Sequence, residues 1–405
     1  MARIAIISDL HVGAVARSSD LNPFSQPPAA TDGFLDSFEA FVRTNGISAD
    51  ALIVPGDISD KAHPAEYELA TTVIQRVATM LGVDHGAVFP VLGNHDLNWA
   101  LVSAIADAPE FGREMRFATV ERSGWLHQRL TSSGGRSQTQ LPYLCVDETE
   151  NMYLVRYNSA ESDLPAVRPH RGAIQQAHID ALRQLLSDFP PVGDKVRVFL
   201  THHHPTIYSD PIPDLPDFSA LVNAEGMLDA LRDHRFDFVI HGHKHSPRFS
   251  SAVLAGRHAL SILCAGSFSR QIDTAWTGKI TNQFHLINCA GRASGTGYLK
   301  GEVLSWAYQP RAWIPSNRQW AGIQHRLPFG WYPSEPELSS QIRAALNAPL
   351  ASRAAIWPDL TSAIPEIEFA DASLVDRVLS QFADDTASIL RFNPDKPQDL
   401  AMVRK

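Results

Sequence analysis

The chain has 405 residues, of which 44% are hydrophobic and 20% are charged, and its net charge is −9. This composition excludes a disordered chain, a collagen-like repeat and a small disulfide scaffold, and the length predicts two or three domains. The three cysteines (Cys145, Cys264 and Cys289) cannot all pair, and none lies in a CxxC motif, so we expect a reducing, cytoplasmic compartment. No segment resembles a signal peptide or approaches the roughly 20 apolar residues of a membrane span, so we expect no membrane association.

The first 100 residues predict three buried strands separated by helices. The apolar runs lie at residues 3–8, 50–55 and 88–92, and helices are predicted at residues 34–43 and 64–81. A proline at the start of the second helix and a glycine just past its end fit these boundaries. Polar residues follow each strand at once: SDLH after the first, GD after the second and GNHD after the third.

The same pattern continues in the middle of the chain. Strands are predicted at residues 195–200, 236–240 and 259–264, and helices at residues 178–189 and 221–232. The first two of these strands end in THHHP and HGHKH. Because ligand sites in helix-covered sheets lie beyond the carboxyl ends of the strands, these repeats predict an α/β domain with a site built from the strand ends.

The character of the sequence changes after about residue 284. Two strand-like segments, FHLINC and GYLKGEVLSWAYQ, are followed by predicted helices at residues 335–348 and 371–392. We therefore predict a first domain at residues 1–290 and an accessory region at residues 291–405, with a β extension to about 330 and then a helical tail.

Four tryptophans fall close together in the accessory region: Trp306, Trp313, Trp320 and Trp331. The first three are seven residues apart, but prolines between them exclude a continuous helix. We interpret them as the aromatic core of the accessory sheet, and a stacking platform for a base is the alternative.

The residues beyond the strand ends include a set of side chains typical of metal ligands. Mixed oxygen and nitrogen ligands with a carboxylate available as a bridge suit two divalent transition metal ions. Asp9 and His11 are separated by one residue, as are His243 and His245, so each pair is expected on one side of an extended strand end. The candidates are Asp9, His11, Asp57, Asn94, His203, His243 and His245.

The motif order SDLH, GD, GNHD, HHP and GHKH resembles the calcineurin-like metallophosphoesterase superfamily, over about residues 3–268. The resemblance implies a four-layer α/β/β/α sandwich, here with a C-terminal accessory extension. It also implies two divalent ions, which we expect to be Mn, Fe, Zn, Co or Ni, with Mn as first choice. One ion would bind Asp9, His11, Asp57 and His245, and the other would bind Asp57, Asn94, His203 and His243.

The resemblance further implies a mechanism and its residues. A hydroxide held between the two ions would attack phosphorus in line while the ions neutralise the phosphoryl oxygens. His95 would protonate the leaving oxygen, and Asp96 would orient His95. Asn94 and His95 would also contact the substrate.

Three consecutive histidines leave the register of the fourth motif open. Counting back from Pro205 makes His203 the ligand, whereas counting from the strand end makes it His202. We favour His203, because the proline restricts the local backbone. His204 would then lie at the rim of the site and contact the substrate.

The stretch GDISDKAHPAEYELA, which contains Tyr67, resembles the class III cyclic-nucleotide phosphodiesterases. We therefore predict a phosphodiesterase acting on a small nucleotide or similar phosphoester. The alternatives are a nuclease, a phosphomonoesterase such as a protein phosphatase, and a metal-free scaffold. A long nucleic acid is the less suitable substrate, because residues 291–405 carry 12 basic and 12 acidic residues and supply no basic groove. The C-terminal region is also a candidate surface for homo-oligomerisation.

Overall fold

The computed structural model describes most of the chain. The described residues are 2–25, 33–100, 117–133, 136–137, 142–163, 172–207, 219–253, 257–272, 278–309 and 311–405. Among them, no helix combines the length and the apolar character needed to cross a bilayer.

The described elements form a mixed α/β protein, as predicted. The strands are β1 (Arg3–Ile6), β2 (Ala51–Val54), β3 (Val88–Pro90), β4 (Ser132–Ser133), β5 (Arg136–Ser137), β6 (Leu144–Glu148), β7 (Met152–Tyr157), β8 (Val196–Leu200), β9 (Phe238–His241), β10 (Arg248–Ala252), β11 (Leu260–Cys264), β12 (Gln283–Arg292), β13 (Leu299–Gln309), β14 (Ala312–Pro315), β15 (Arg326–Phe329), β16 (Ala355–Ile356), β17 (Ser388–Arg391) and β18 (Ala401–Arg404). The helices are α1 (Phe34–Asn45), α2 (Pro64–Met80), α3 (Trp125–Thr131), α4 (Gln176–Asp188), α5 (Ala224–Asp233), α6 (Arg318–Ala321), α7 (Glu335–Ser352), α8 (Trp357–Ala363) and α9 (Ala372–Asp385). The four-layer stacking of sheets and helices stays a prediction.

The first large sheet has the strand order β14-β13-β12-β1-β2-β3, with β15 paired to β13. Strands β1, β2 and β3 are parallel, and Ile53 of β2 lies between Ile6 of β1 and Phe89 of β3. These strands are apolar and almost fully buried, as expected for strands covered on both faces. Their carboxyl ends therefore meet at one edge of the sheet, where the polar motifs begin.

The second large sheet has the order β10-β11-β9-β8-β7-β6. Strands β7, β8, β9 and β11 run parallel, and Ile240 of β9 lies between Leu200 of β8 and Leu263 of β11. Apolar residues of α4 and α5, such as Leu182 and Leu228, pack into one core cluster with Val239 and other residues of this sheet. The carboxyl ends of β8 and β9 carry the histidine-rich motifs to one edge of the second sheet.

The chain divides into two compact units. The larger contains residues 2–286 and 305–323, and the smaller consists mainly of residues 287–304 and 324–405. We predicted boundaries near residues 290 and 330, and this division differs from them in assigning residues 305–323 to the larger unit. Both transitions near the predicted boundary fall inside β12 and β13, where no linker composition marks them.

The smaller unit contains more β structure than the predicted helical tail. Strands β16, β18 and β17 form a three-stranded antiparallel sheet. The helix predicted at residues 371–392 ends as α9 at Asp385, because Ala387 adopts a left-handed conformation with φ of 49°. Leu338, Ile342 and Leu346 are buried at four-residue spacing along α7 and pack in the core of this unit.

The interpretation of the four tryptophans as an aromatic core holds for Trp306 and Trp313, whereas Trp320 and Trp331 are only half-buried. The Trp313 ring lies 5.2 Å from Phe38 and 5.4 Å from Phe268, and the Trp306 ring stacks 5.7 Å from Phe284. Both indoles are more than nine-tenths buried, so neither offers a face on which a base could stack. This core lies in the larger unit rather than in a separate accessory sheet.

Candidate metal centre

The SDLH and GD motifs lie side by side beyond the ends of β1 and β2. The Asp9 amide donates to the Gly56 carbonyl at 3.1 Å, and the His11 amide donates to the Asp57 carbonyl at 2.9 Å. The parallel pairing of the two strands thus continues through the motifs after the regular strand geometry has ended. This pairing brings two segments that are about 45 residues apart into one site.

Several candidate ligands adopt a backbone conformation that the sequence did not predict. A residue other than glycine that is held in the left-handed backbone region lowers the stability of the fold by roughly 1–3 kcal/mol, and such residues cluster at functional sites. The prediction that each Asp-x-His or His-x-His pair lies on an extended strand end is therefore wrong in its geometry, although each pair does converge. The residues and their φ angles are Asp9 (49°), His11 (46°), Asp57 (49°), His243 (74°) and His245 (54°).

The first group of side chains is Asp9, His11, Asp57 and His245. Their ligand atoms all lie within 4.8 Å of one another, and all four residues are buried. His11 Nε2 is 3.4 Å from Asp57 Oδ2, and His245 Nε2 is 3.6 Å from Asp9 Oδ1. The structure thus brings together all four residues that we predicted for one metal ion.

The second group forms around the other carboxylate oxygen of Asp57. Asp57 Oδ1 lies 3.3 Å from His202 Nε2, and Asn94 Oδ1 lies 3.1 Å from the same nitrogen. His243 Nδ1 is 2.9 Å from Asn94 Oδ1 and 3.3 Å from His202 Nε2. Three of the four residues predicted for the second ion therefore meet here, and His202 occupies the fourth position.

The preference for His203 as the ligand is not supported by this geometry. His203 instead lies between Ser159 and Asp163, with Nδ1 2.8 Å from Ser159 Oγ and Nε2 3.3 Å from Asp163 Oδ2. The reason is that backbone pairing sets the register: the Gly242 amide donates to the His202 carbonyl at 3.1 Å, so the chain still follows the neighbouring strand at this point. Spacing from the proline therefore does not predict which of the three histidines turns toward Asp57.

His204 also lies elsewhere than predicted. Its side chain is fully buried, and its ring is stacked 5.9 Å from the ring of His243. A buried ring in this position does not match the predicted place at the rim of the site.

His95 lies at the edge of the first group, with about 29% of its side chain exposed. Its ring contacts the His11 ring at 4.5 Å, and its backbone amide donates to Asp57 Oδ1 at 2.9 Å. Nδ1 is 2.9 Å from the Asp60 carbonyl and 3.9 Å from Asp60 Oδ1. Asp60 is therefore the acidic residue beside the His95 ring.

Asp96 does not orient His95 as predicted. Its buried carboxylate accepts hydrogen bonds from the backbone amides of Ile58, Ser59 and Gly93, at 3.1, 2.8 and 2.9 Å. Tyr67, the tyrosine that motivated the phosphodiesterase comparison, donates to the Asp96 carbonyl at 2.8 Å. Through these hydrogen bonds, Asp96 and Tyr67 connect the GD and GNHD loops to each other and to helix α2, and so fix the positions of both loops.

Burial and charge shift the titration of the site residues. Burial raises the pKa of Asp9 to about 7. Burial disfavours the charged form of His202, but the Asp57 carboxylate outweighs it and raises the pKa of His202 to about 9. Burial lowers the pKa of both His11 and His245 well below the usual value, and the positive charge of Arg270 adds to the lowering for each. Opposed shifts of this kind are typical of functional sites.

Two glycines permit the close packing of the site. A Cβ atom on Gly93 would overlap the Asp57 carboxylate, and one on Gly242 would overlap Asp9 and Ser8. These positions accept no side chain because another segment passes directly over the backbone.

Sequence reasoning missed two charged residues of this region. Asp60 lies three positions after Asp57, so a further acidic residue in the GD segment was an available signal. Arg270 places Nη1 3.5 Å from His245 Nδ1, and no motif in the sequence marks it.

A family model and several known proteins are similar to this chain. The family model for calcineurin-like phosphoesterases matches residues 2–247. A probable cyclic nucleotide phosphodiesterase of Rhodococcus erythropolis is 26% identical over 218 residues, which are 53% of this chain and 57% of that protein, so the match spans little more than half of the relative. A dimetal phosphatase of Danio rerio is 13% identical over 77% of this chain and 98% of its own, with a TM-score of 0.42. A purple acid phosphatase of yellow lupin (Lupinus luteus) is 9% identical over 76% of this chain and 51% of its own, with a TM-score of 0.45. The chain belongs to the calcineurin-like phosphoesterase family.

Proposed function

We propose that this protein hydrolyses a phosphodiester of a small nucleotide, or of a similar small molecule, at a two-metal centre. The observation that carries the proposal is the position of Asp57, whose two carboxylate oxygens face different groups of ligands. Oδ2 faces His11 at 3.4 Å and Oδ1 faces His202 at 3.3 Å. A shared carboxylate of this kind suits two adjacent divalent ions.

The residues present fit such ions. The His11 ring is fully buried, yet among the described residues neither ring nitrogen has a hydrogen-bond partner. A buried polar atom in that state calls for a ligand. Asp9, His11, Asp57 and His245 would hold one ion, and the other would be held by Asp57, Asn94, His202 and His243. The mixed ligand set favours no single metal, and we take manganese as the first to test.

When bound, the ions supply Lewis-acid charge to the phosphoryl oxygens and an activated water as nucleophile. The protein itself supplies the proton for the leaving group. His95 is partly exposed at the edge of the cluster, its Nδ1 lies 2.9 Å from the Asp60 carbonyl, and the Asp60 carboxylate lies 3.9 Å from the same nitrogen. We assign the proton transfer to Nε2 of His95, with Asp60 rather than Asp96 as the residue that positions the ring.

The choice of a small diester rests on two observations. The relative from Rhodococcus erythropolis is described as a probable cyclic nucleotide phosphodiesterase, and this chain carries a net charge of −9 that disfavours a long polynucleotide. The three cysteines are free and buried, which supports the proposal of a reducing, cytoplasmic compartment. Homo-oligomerisation through the C-terminal region stays a prediction.

The test compares manganese-loaded wild-type protein with Asp57→Asn, a variant that keeps the shape of the side chain but removes the shared charge. Substrates are bis-p-nitrophenyl phosphate, p-nitrophenyl phosphate, 2′,3′- and 3′,5′-cyclic nucleotides, and single-stranded DNA. We expect diester turnover by the wild type, a loss of at least about 10³-fold in Asp57→Asn, and no cleavage of DNA. Turnover of monoesters alone, or of DNA in preference to small diesters, would contradict the proposal.

A further inference from the structure

Arg270 is held firmly by its backbone beside the candidate metal centre. Its amide donates to Ser267 Oγ at 2.9 Å, and its carbonyl accepts from Asn282 Nδ2 at 2.8 Å. Ser267 in turn donates to the Asp9 carbonyl at 2.7 Å. The base of this side chain is therefore tied to the same loop that carries a predicted metal ligand.

The guanidinium of Arg270 has few partners of its own. Nη1 lies 3.5 Å from His245 Nδ1, and among the described residues Nε makes no hydrogen bond and no carboxylate forms an ion pair with the group. Arg156 shows the contrast within the same unit. It is buried, pairs with Asp147 at 2.6 Å and donates to three backbone carbonyls. Arg156 is saturated as a structural arginine, whereas Arg270 retains donors for a ligand.

When a cation is bound, His245 cannot accept a hydrogen bond from the Arg270 guanidinium. His245 presents Nε2 to Asp9 at 3.6 Å, so Nε2 is the nitrogen placed for a cation. A neutral imidazole that uses Nε2 in this way carries its proton on Nδ1, which is then a donor like the guanidinium. Two donors do not bond, and Arg270 needs an acceptor from outside the protein.

The charge of the site indicates what that acceptor is. With ions bound, the carboxylates of Asp9, Asp57 and the nearby Asp60 would carry three negative charges, which two divalent ions would still more than neutralise. Arg270 adds a further positive charge beside His245. A guanidinium is a planar donor group that matches the oxygens of a phosphate. We propose that Arg270 binds a non-bridging oxygen of the substrate's phosphate group and so holds the phosphoester against the metal centre.

This role rests on the proposed function, because the oxygen that Arg270 binds belongs to the phosphoester that the protein would cleave. Arg270 is half-buried, which leaves part of the side chain accessible from solvent. It acts by binding and orienting the substrate, and it takes no part in proton transfer.

The experiment measures inorganic phosphate binding by calorimetry to the manganese-loaded full chain. The variants are Arg270→Gln, which removes the charge, and Arg270→Lys, which keeps it but loses the planar group. Arg76→Gln is the matched control, because Arg76 lies on α2, pairs with Asp36 and Glu39 and gives the same change in net charge. Manganese per chain is measured on the same samples.

We expect phosphate binding to weaken about 10- to 100-fold in Arg270→Gln and less in Arg270→Lys, because charge-assisted hydrogen bonds are lost. Arg76→Gln should bind phosphate like the wild type, and all variants should hold the same amount of manganese. Unchanged phosphate affinity in Arg270→Gln overturns the proposal. Loss of manganese in both Arg270 variants also overturns it, since the residue would then support His245 instead of the substrate.

The two proposals fail in different ways. Turnover of bis-p-nitrophenyl phosphate by the wild type is recorded on the same preparation. If the wild type does not cleave the diester, the proposed function fails, while the phosphate measurements still show whether Arg270 binds a phosphate oxygen. If the wild type cleaves it and Arg270→Gln binds phosphate normally, only the Arg270 proposal fails.

Discussion

The two compact units of this chain bury different kinds of side chains. In the larger unit, acidic and histidine side chains such as Asp9, Asp57 and His202 are fully enclosed. In the smaller unit, the described buried side chains are apolar apart from Ser388. Burying a charged or polar group costs free energy unless it is paired, so natural proteins keep such groups where a function requires them. The contrast assigns the chemistry to the larger unit and ordinary packing to the described part of the smaller one.

The backbone shows the same contrast. The larger unit holds five predicted ligands at positive φ, whereas in the smaller unit a residue such as Ala387 adopts positive φ at a helix end. Local strain is tolerated where the surrounding structure over-determines it, and the loops of the larger unit are held by hydrogen bonds from several directions. Variants of the site residues in the larger unit should therefore change activity more than stability, and variants in the core of the smaller unit should do the reverse.

The largest effect is expected from His95→Ala. Removing the proton donor should lower kcat about 10²- to 10⁴-fold on a diester with a poor leaving group, and less on a nitrophenyl ester, because a nitrophenolate leaves without a proton. Manganese content and thermal stability should stay at wild-type values. His85→Ala, a histidine of the same unit that lies in a turn remote from the site, is the control. Wild-type turnover of the poor substrate by His95→Ala would rule out this assignment.

His202→Ala and His203→Ala form the next pair. His202→Ala should weaken binding of one manganese ion by more than the roughly 10- to 100-fold that is typical of residues that only support a ligand. His203→Ala should retain two ions at saturating manganese, since its ring contacts Ser159 and Asp163. Metal analysis of both proteins at matched free manganese decides the register, and the opposite pattern would restore His203 as the ligand.

In the smaller unit, Leu346→Ala should change stability without changing chemistry. Leu346 is fully buried in α7, so truncation should lower the free energy of unfolding by about 3 kcal/mol, as is usual for a buried leucine. Asn347→Ala on the exposed face of the same helix should change stability by less than about 0.5 kcal/mol. Both should keep the wild-type kcat at temperatures where they are folded. A matching loss of kcat in Leu346→Ala would break the division of roles between the two units.

The smallest effect concerns pH and His285 of the larger unit. Burial lowers the pKa of His285 from 6.5 to about 4, and its nitrogens contact the Ala265 carbonyl and Ser305 Oγ. Because the folded pKa is the lower one, the unfolded chain binds the proton first as the pH falls. His285 therefore contributes full stability above pH 6.5 and loses about 2 kcal/mol of it by pH 5. Denaturant titrations of wild type and His285→Gln between pH 7.5 and 5 should show a flatter pH dependence in the variant, and parallel curves would contradict the prediction.

Much of the site was predictable from local patterns. Apolar runs located the strands that end at Ile6, Val54, Pro90, Leu200 and His241, since a strand buried on both faces requires a continuous apolar stretch. The polar residues directly after these strands had to meet at the sheet edges. By contrast, the sequence did not predict strand β17. Its residues continue the apolar pattern of the predicted helix, and only a turn at Ala387 separates them from α9.

The sequence by itself determined the family, the positions of most strands of the larger unit and six of the seven candidate side chains that converge around Asp57, because these depend on residue type and on neighbours along the chain. The tertiary structure decided which of three consecutive histidines turns toward Asp57, that Asp60 and not Asp96 lies beside His95, and that Arg270 reaches His245. The physical reason is common to all three. Beyond a strand end, the direction of a side chain depends on hydrogen bonds to segments far away in the sequence, and residue spacing carries no record of those contacts.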